Sequence, residues 1–494
     1  MKIVLINPNN ISAKNDFLIQ NFIGTVPPYN LTQLASVIRK SGHETIIIDQ
    51  YIEYKTPSAI LQRLVRLKPD IIGISVLAPA FGWVRHLCLE IRLRLPSVKI
   101  VLGNSFAALF SQNILQDKLA DAVVQGEGEE TFDEYIKAIA SKQDLREVAG
   151  LSFRQEGRIV RNKPRPVIAD LDSLPRPAWD LIDLRRYSRI PMLALYGPVL
   201  MVQGSRGCSY NCFYCSQDAD FKKMRKRSIT GIVNELEFLY ERYKVRNYIF
   251  LDAYFPFSLS SGFEFCDELI KRGLHKKIRW LTETKVDLVN RDLLKRMKEA
   301  GLYLIMYGFE TGSERILRMI NKHTTLERAY CVMRDTRDIG IRSLGLFMLG
   351  FPGETEEECQ QTIVFSKRLS CDLVKYNLLT PYPGTGLYQE YIKNKMLAYE
   401  RPELFTSWFA IAGRKQAPFN FTSMSTSTLL SFQRKALISY YLRPQAMFNI
   451  LSKRIVKLDS VCAAAPFLFL NYLLFIVSLL LSKTTPKQNN AVNG

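Results

Sequence analysis

The chain has 494 residues, too many for one ordinary domain, and 47% of them are hydrophobic, enough for two or three cores. The net charge of +20 permits contact with nucleic acid or an anionic membrane, but no zinc knuckle or RNA-recognition signature accompanies it, so nucleic acid is not an expected partner. Nine cysteines without paired spacing exclude a disulfide scaffold: three crowd into one run, while Cys88, Cys266, Cys331, Cys359, Cys371 and Cys462 are scattered as free thiols suited to a reducing cytosol.

Met1–Asn7 reads as the opening of a strand and not as a signal peptide. Lys2–Ile6, Thr45–Asp49, Asp70–Val76, Lys99–Gly103 and Ala122–Gln125 read as strands, alternating with helical spacing over Leu31–Ser41, Ala59–Leu67 and Trp83–Leu95. This alternation predicts an α/β fold with a doubly wound parallel sheet over residues 1–141, its ligand site at the carboxyl ends of the strands. No Gly-x-Gly-x-x-Gly follows the first strand, which argues against a nicotinamide cofactor. The order of Ile6-Asn7-Pro8, Pro27–Leu31, Ser41–Glu44, Asp70–Ser75, Val101–Gly103 and Gly126–Glu129 resembles the Rossmann-like cobalamin-binding domain that precedes many radical S-adenosylmethionine (SAM) enzymes. The resemblance implies cobalamin contacts at Asn7, Pro28, Ser75, Gly103, Gly126 and Glu127. Two departures stand out. The Asp-x-His-x-x-Gly motif that supplies a cobalt ligand in some relatives is absent, and Gly103-Asn104-Ser105-Phe106 replaces the usual Gly-Gly-x-His.

Residues 142–191 read as a linker: a small hairpin, Gly150–Phe153 with Arg158–Arg161 turning at Glu156-Gly157, then a proline-rich connector. From 192 to 400, strands at Leu200–Gln203, Tyr248–Asp252, Arg279–Glu283, Tyr303–Phe309, Ser343–Leu349 and Leu373–Leu379 alternate with helices, giving a partial (β/α)6 barrel.

Directly after the first of these strands, Cys208, Cys212 and Cys215 are spaced three and two residues apart, with Tyr214 before the last. A loop of this length can offer three thiolates to an iron–sulfur cube and leave one iron open. Structural zinc wants a fourth ligand, and no Cys or His lies nearby; buried structural cysteines have no reason for this spacing. The run resembles the signature of the radical SAM superfamily, which implies a [4Fe–4S] cluster on Cys208, Cys212 and Cys215, SAM on its open iron, and an external electron donor such as flavodoxin or ferredoxin. By the same resemblance Tyr214, Asp252, Gly308, Glu310 and Gly350 would contact SAM. Glu354, at a helix start, reads as a helix-capping acid.

Residues 401–494 read as a helical C-terminal region, with Trp408-Phe409 and Phe419–Phe421 expected over the barrel mouth. The uncharged apolar segment 461–482 is long enough to cross or lie in a bilayer, and basic residues precede it. The expectation is a cytoplasmic enzyme associated with the inner face of the membrane. Together the resemblances imply a cobalamin-dependent radical SAM C-methyltransferase acting on an unactivated carbon of a small-molecule or lipid-like substrate. The alternatives are oxidative cyclisation of a tetrapyrrole, tRNA methylthiolation (disfavoured, because only Cys88 lies in the N-terminal domain), and a non-catalytic, membrane-docked cofactor-binding protein.

Overall fold

A computed structural model of the chain describes residues 1–9, 25–53, 56–187, 197–215, 223–405, 417–446 and 449. The segment 461–482 and Trp408-Phe409 lie outside the described residues.

The first sheet has seven strands in the order β2-β1-β3-β4-β5-β6-β7. Its parallel part comprises β1 (Lys2–Asn7), β2 (Glu44–Asp49), β3 (Ile71–Ser75), β4 (Lys99–Gly103) and β5 (Ala122–Val124). Ile3, Val4, Leu5 and Ile6 are all fully buried, as a strand covered on both faces requires. Gly73 is needed in β3, because a Cβ there would stand 2.9 Å from Leu5 and 3.1 Å from Phe132 of the covering helix Gly128–Ser141. The hairpin β6 (Leu151–Gln155) and β7 (Arg158–Arg161) is not a separate cap in a linker: β6 pairs antiparallel with β5 and extends this sheet.

The second sheet is six-stranded and wholly parallel, in the order β15-β14-β13-β12-β11-β8. Its members are β8 (Val199–Val202), β11 (Asn247–Phe250), β12 (Arg279–Thr284), β13 (Leu302–Glu310), β14 (Arg342–Leu349) and β15 (Leu373–Leu378). A ribbon of two residues per strand, β9 (Ser205–Arg206) with β10 (Arg225–Lys226), lies between β8 and β11 in the sequence and forms a separate sheet. The helices are capped as their sequences dictate: the side chains of Ser228, Ser258, Asn290, Ser313, Thr325, Thr355 and Thr385 each accept a backbone N–H of the first turn.

Helix Thr426–Tyr441 covers β15: the Tyr441 hydroxyl accepts Val374 N–H at 3.0 Å and donates to Val374 C=O at 2.7 Å, and Gln433 donates to Tyr376 C=O at 2.7 Å. The described residues Tyr388–Phe405 and Phe419 pack chiefly against the first sheet and not over the barrel mouth. Tyr388, Tyr399, Phe405 and Phe419 join the core of Phe81, Phe106 and Phe110, and the Tyr399 ring lies 4.9 Å from that of Phe81. Phe421 does reach the mouth, where its carbonyl accepts Gly353 N–H at 3.0 Å. Conversely, Tyr29 and Trp179 from the N-terminal half sit in the barrel's main core, so apolar contact joins the two sheets' domains.

Candidate active site

The cysteine loop leaves β9 at the carboxyl end of the barrel. Cys208, Cys212 and Cys215 are half-buried thiols, and Cys215 N–H closes a turn on Cys212 C=O at 3.1 Å. The loop leans on the segments that follow β13 and β14: Phe213 N–H donates to Ile320 C=O at the end of helix Glu314–Met319, and the Tyr214 ring meets Phe351, just past β14, edge-on at 5.8 Å. Burial pushes the Cys212 thiol up, while the ammonium groups of Lys322 and Lys285 act the other way. Lys285 stands 3.0 Å from the Tyr210 ring centroid, and burial together with Lys322 lowers its pKa to about 8. Among the described residues, no three Cys, His, Asp or Glu side chains already close on a common metal position, so the loop's fit to a cluster rests on its donor set: three thiols with cations beside them.

The barrel strand ends surround this loop. Glu310 ends β13 with a left-handed backbone (φ 65°), at a register shift against β14, and its carboxylate pairs with Lys322 at 2.8 Å. Both side chains are buried, and the Glu310 carboxylate also stands beside the Tyr214 hydroxyl, whose pKa is raised by burial first. Gly308 makes room for the pair: a Cβ there would lie 2.6 Å from Glu310 Oε1. Gly350 follows β14 directly, with φ 97°. Glu354 is not the helix cap. That part belongs to Thr355 with Glu358, while Glu354 is fully buried and accepts the Gly350 and Phe351 N–H groups at 2.6 and 3.0 Å.

Asp252 differs from expectation. Its oxygens accept Gly204 N–H at 3.0 Å and the Ser205 hydroxyl, so the buried carboxylate secures the start of the cysteine segment and not an incoming ligand. Inside the barrel, Leu281, Tyr303, Leu304, Met306, Leu344 and Leu373 form an apolar floor. Above it the inward-facing Met201, Glu283, Leu346, Met348, Lys375 and Asn377 are partly accessible while their outward neighbours are buried, so the upper lumen is open. Asn377 Oδ1 there has no hydrogen-bond partner among the described residues.

On the first sheet, Asn7, Ser75, Gly103 and Gly126 line one carboxyl edge. Ser75 Oγ accepts Asn30 Nδ2 at 2.9 Å and Asn104 Nδ2 at 3.2 Å, which fills both lone pairs and leaves the hydroxyl proton for a ligand. Asn104 takes φ 82°, and its side chain also caps the short helix Ser105–Leu109. Gly126 (φ 75°) has nothing within 4 Å of a built Cβ, so its backbone faces open space. Pro28 starts the helix Tyr29–Lys40 as its N-cap. Asn7 donates to Asp49 at 2.9 Å, and the Tyr187 hydroxyl reaches the same carboxylate at 2.6 Å. Open glycine backbone and an oriented hydroxyl at a strand-end crevice fit a large polar cofactor. Glu127 does not join them. Its carboxylate accepts Arg206 at 2.9 Å, Arg225 at 2.9 Å and Ile168 N–H at 2.7 Å, and those donors hold its pKa down against burial.

Sequence reasoning missed Lys285, Lys322, Arg206, Arg225 and Glu129. Of these, Arg206, two residues before Cys208, and Glu129, at the end of the Gly126–Glu129 run, had a local signal but were given no role.

A cobalamin-type sheet domain joined to a six-stranded barrel with a Cys-x3-Cys-x2-Cys loop defines the class: a radical SAM protein with a cobalamin domain. Residues 202–365 match the radical SAM superfamily and residues 16–136 the B12 binding domain. An uncharacterized methyltransferase of Pyrococcus horikoshii is 33% identical over 452 residues, 91% of this chain and 94% of its own. The anaerobic magnesium-protoporphyrin IX monomethyl ester cyclase of Cereibacter sphaeroides is 30% identical over 79% of this chain and 63% of its own. The solved structure of the radical SAM methyltransferase TsrM from Kitasatospora setae, with cobalamin and a [4Fe–4S] cluster bound, superposes with a TM-score of 0.65 at 19% identity, over 78% of this chain and 76% of that one, which shows the shared fold. The chain belongs to the cobalamin-dependent radical SAM methyltransferase family, whose cofactors are a [4Fe–4S] cluster, SAM and cobalamin.

Proposed function

We propose that the enzyme transfers a methyl group to an unactivated carbon of a small molecule. The observation that carries this reading is the direct contact between the two cofactor regions: Arg206, at the root of the cysteine loop, is ion-paired to Glu127 and Glu129 on the cobalamin-type domain. When bound, the cluster and SAM supply a deoxyadenosyl radical, and the corrin supplies the methyl group. Cys208, Cys212 and Cys215 hold the cluster. Tyr214, Gly308, Glu310 and Gly350 would hold SAM, with the ammonium groups of Lys285 and Lys322 adding positive charge to the site. Asn7, Pro28, Ser75, Gly103 and Gly126 form the corrin crevice. The open upper lumen receives the substrate, and its mixture of Met201, Leu346 and Met348 with Glu283, Lys375 and Asn377 suits a molecule with both apolar and polar parts.

Ring closure on a tetrapyrrole is the second reading, favoured by the cyclase relative. We also keep membrane contact as a proposal, resting on the apolar segment 461–482 and the basic residues before it. Among the described residues no helix is long and apolar enough to cross a membrane. The contact would place a cytoplasmic enzyme at the inner face of the membrane and give it lipid-like substrates.

Anaerobic reconstitution with iron, sulfide and cobalamin, followed by metal and corrin analysis, tests the reading. Stoichiometric corrin with SAM cleavage supports it; a protein that cleaves SAM but binds no corrin overturns methyl transfer.

A further inference from the structure

The cysteine loop has a neck. The loop begins after Arg206 and ends before Arg225, and these two arginines are direct cross-strand partners on the β9–β10 ribbon. Two paired residues per strand cannot stand alone, and like charges placed opposite each other weaken the pairing. The ribbon therefore needs outside support.

It has support from both sides. On the barrel side, Asp252 takes Gly204 N–H and the Ser205 hydroxyl. On the other side, the first sheet's domain supplies two carboxylates from the start of helix Gly128–Ser141. Glu127 bridges the two arginines, at 2.9 Å from each. Glu129 takes the second terminal nitrogen of Arg206 at 2.5 Å, and Gln203 accepts Arg206 Nε at 2.9 Å, so every nitrogen of that guanidinium is engaged. Arg225 also donates to Ile168 C=O at 2.6 Å. These side chains are buried, and a buried charge that loses its partner is costly. These three ion pairs exist only while the domain bearing the corrin crevice is docked.

We propose that Glu127 and Glu129 are positioning residues for the cysteine loop, so that docking of the cobalamin-type domain sets the arrangement of the three thiols. The inference rests on the assignment of Cys208, Cys212 and Cys215 as cluster ligands. Neither glutamate is one of the three assigned ligands; each acts through an arginine.

The test compares the full-length wild type with Glu127→Gln, Glu129→Gln and a control, Arg39→Ala, which breaks an exposed ion pair to Asp180 that includes no neck residue. Each protein is reconstituted with iron and sulfide, and the loss of cluster absorbance to an iron chelator is timed at a temperature well below unfolding. Removing a residue that orients ligands weakens metal retention by about 10–100-fold. Glu127→Gln is expected to lose its cluster faster by that factor, Glu129→Gln by less, and the control at the wild-type rate. With cobalamin added, the cob(II)alamin electron-spin relaxation caused by the reduced cluster reads their mutual placement, and it should change in the glutamate variants alone. If Glu127→Gln does not fold, Glu127→Asp and Glu129→Gln decide. Wild-type cluster retention and spin relaxation in the folded variants, even with a lowered Tm, would overturn the proposal. Absence of corrin from the wild type would sink methyl transfer but leave the chelator comparison able to decide the neck.

Discussion

Glu310 and Lys322 form a buried ion pair, 2.8 Å apart, under the cysteine loop. Burial alone would lower the Lys322 pKa, but Glu310, joined by Cys212 and Glu283, outweighs it and the pKa is raised, so the lysine stays charged. Removing one partner strands the other, and a broken buried pair costs about 3–5 kcal/mol. Lys322→Ala is therefore expected to lose stability of that size in denaturant unfolding. The double variant Glu310→Gln with Lys322→Met should recover most of the stability without recovering SAM binding. Equal SAM affinity in the double variant and wild type would remove this pair from the SAM site.

Glu354 gives the fold an unusual acid dependence. Burial raises its pKa to about 7, against 4.5 ordinarily, although two backbone N–H groups act the other way. A carboxyl raised in the fold binds its proton more tightly there than in the unfolded chain. Its contribution is therefore most favourable below the unfolded pKa and is lost as pH rises from about 4.5 to 7, a difference of about 3 kcal/mol. Asp252, raised by burial to about 6, has the same sign. Glu354→Gln, whose amide oxygen can still accept both N–H groups, should flatten the stability profile between those pH values. An unchanged profile in urea unfolding at pH 5 and pH 7 would show that Glu354 does not titrate there.

The legible parts of this molecule were those written locally. Strand–helix alternation revealed both sheets, and the spacing of Cys208, Cys212 and Cys215 marked the loop. Contacts between distant segments were hidden. Arg206 meets Glu127 across 79 positions, and Lys322 belongs to a turn with no periodicity of its own. The resemblance of the Gly126–Glu129 run implied a cofactor contact at Glu127, but a motif on a strand-end loop does not say which neighbour faces it. Asp252 misled in the same way: it lies just past the end of a barrel strand, yet its carboxylate turns toward the backbone of Gly204. The hairpin after residue 150 could not be assigned to the first sheet from sequence, since pairing of β6 with β5 leaves no local mark.

Cys212 is the middle thiol of the loop, and the turn bond from Cys215 N–H lands on its carbonyl. Cys212→Ala removes one ligand while leaving that backbone bond in place. The variant should fold with a wild-type circular dichroism spectrum, bind little or no iron after reconstitution, and produce no 5′-deoxyadenosine. Retained cluster absorbance together with SAM cleavage would show that Cys212 is not a ligand.

Two glycines allow a steric prediction with an internal control. A Cβ at Gly308 would meet Glu310 Oε1 at 2.6 Å and Lys322 Nζ at 3.1 Å, the ends of two side chains. A Cβ at Gly312 would meet the Gln361 carbonyl oxygen and Phe365 Cβ, both at 2.7 Å, neither of which can swing away. Gly308→Ala should therefore keep the fold by displacing the ion pair, and lose SAM affinity. Gly312→Ala must separate the turn after β13 from helix Glu356–Leu369, and overpacking of this kind costs about 1–3 kcal/mol. Gly126 and Gly384 have positive φ but open space, so alanine there tests backbone strain alone. Thermal unfolding and SAM titration on these variants separate the three effects. A Gly308→Ala protein with wild-type SAM affinity would show that the position of Glu310 is not what the cofactor reads.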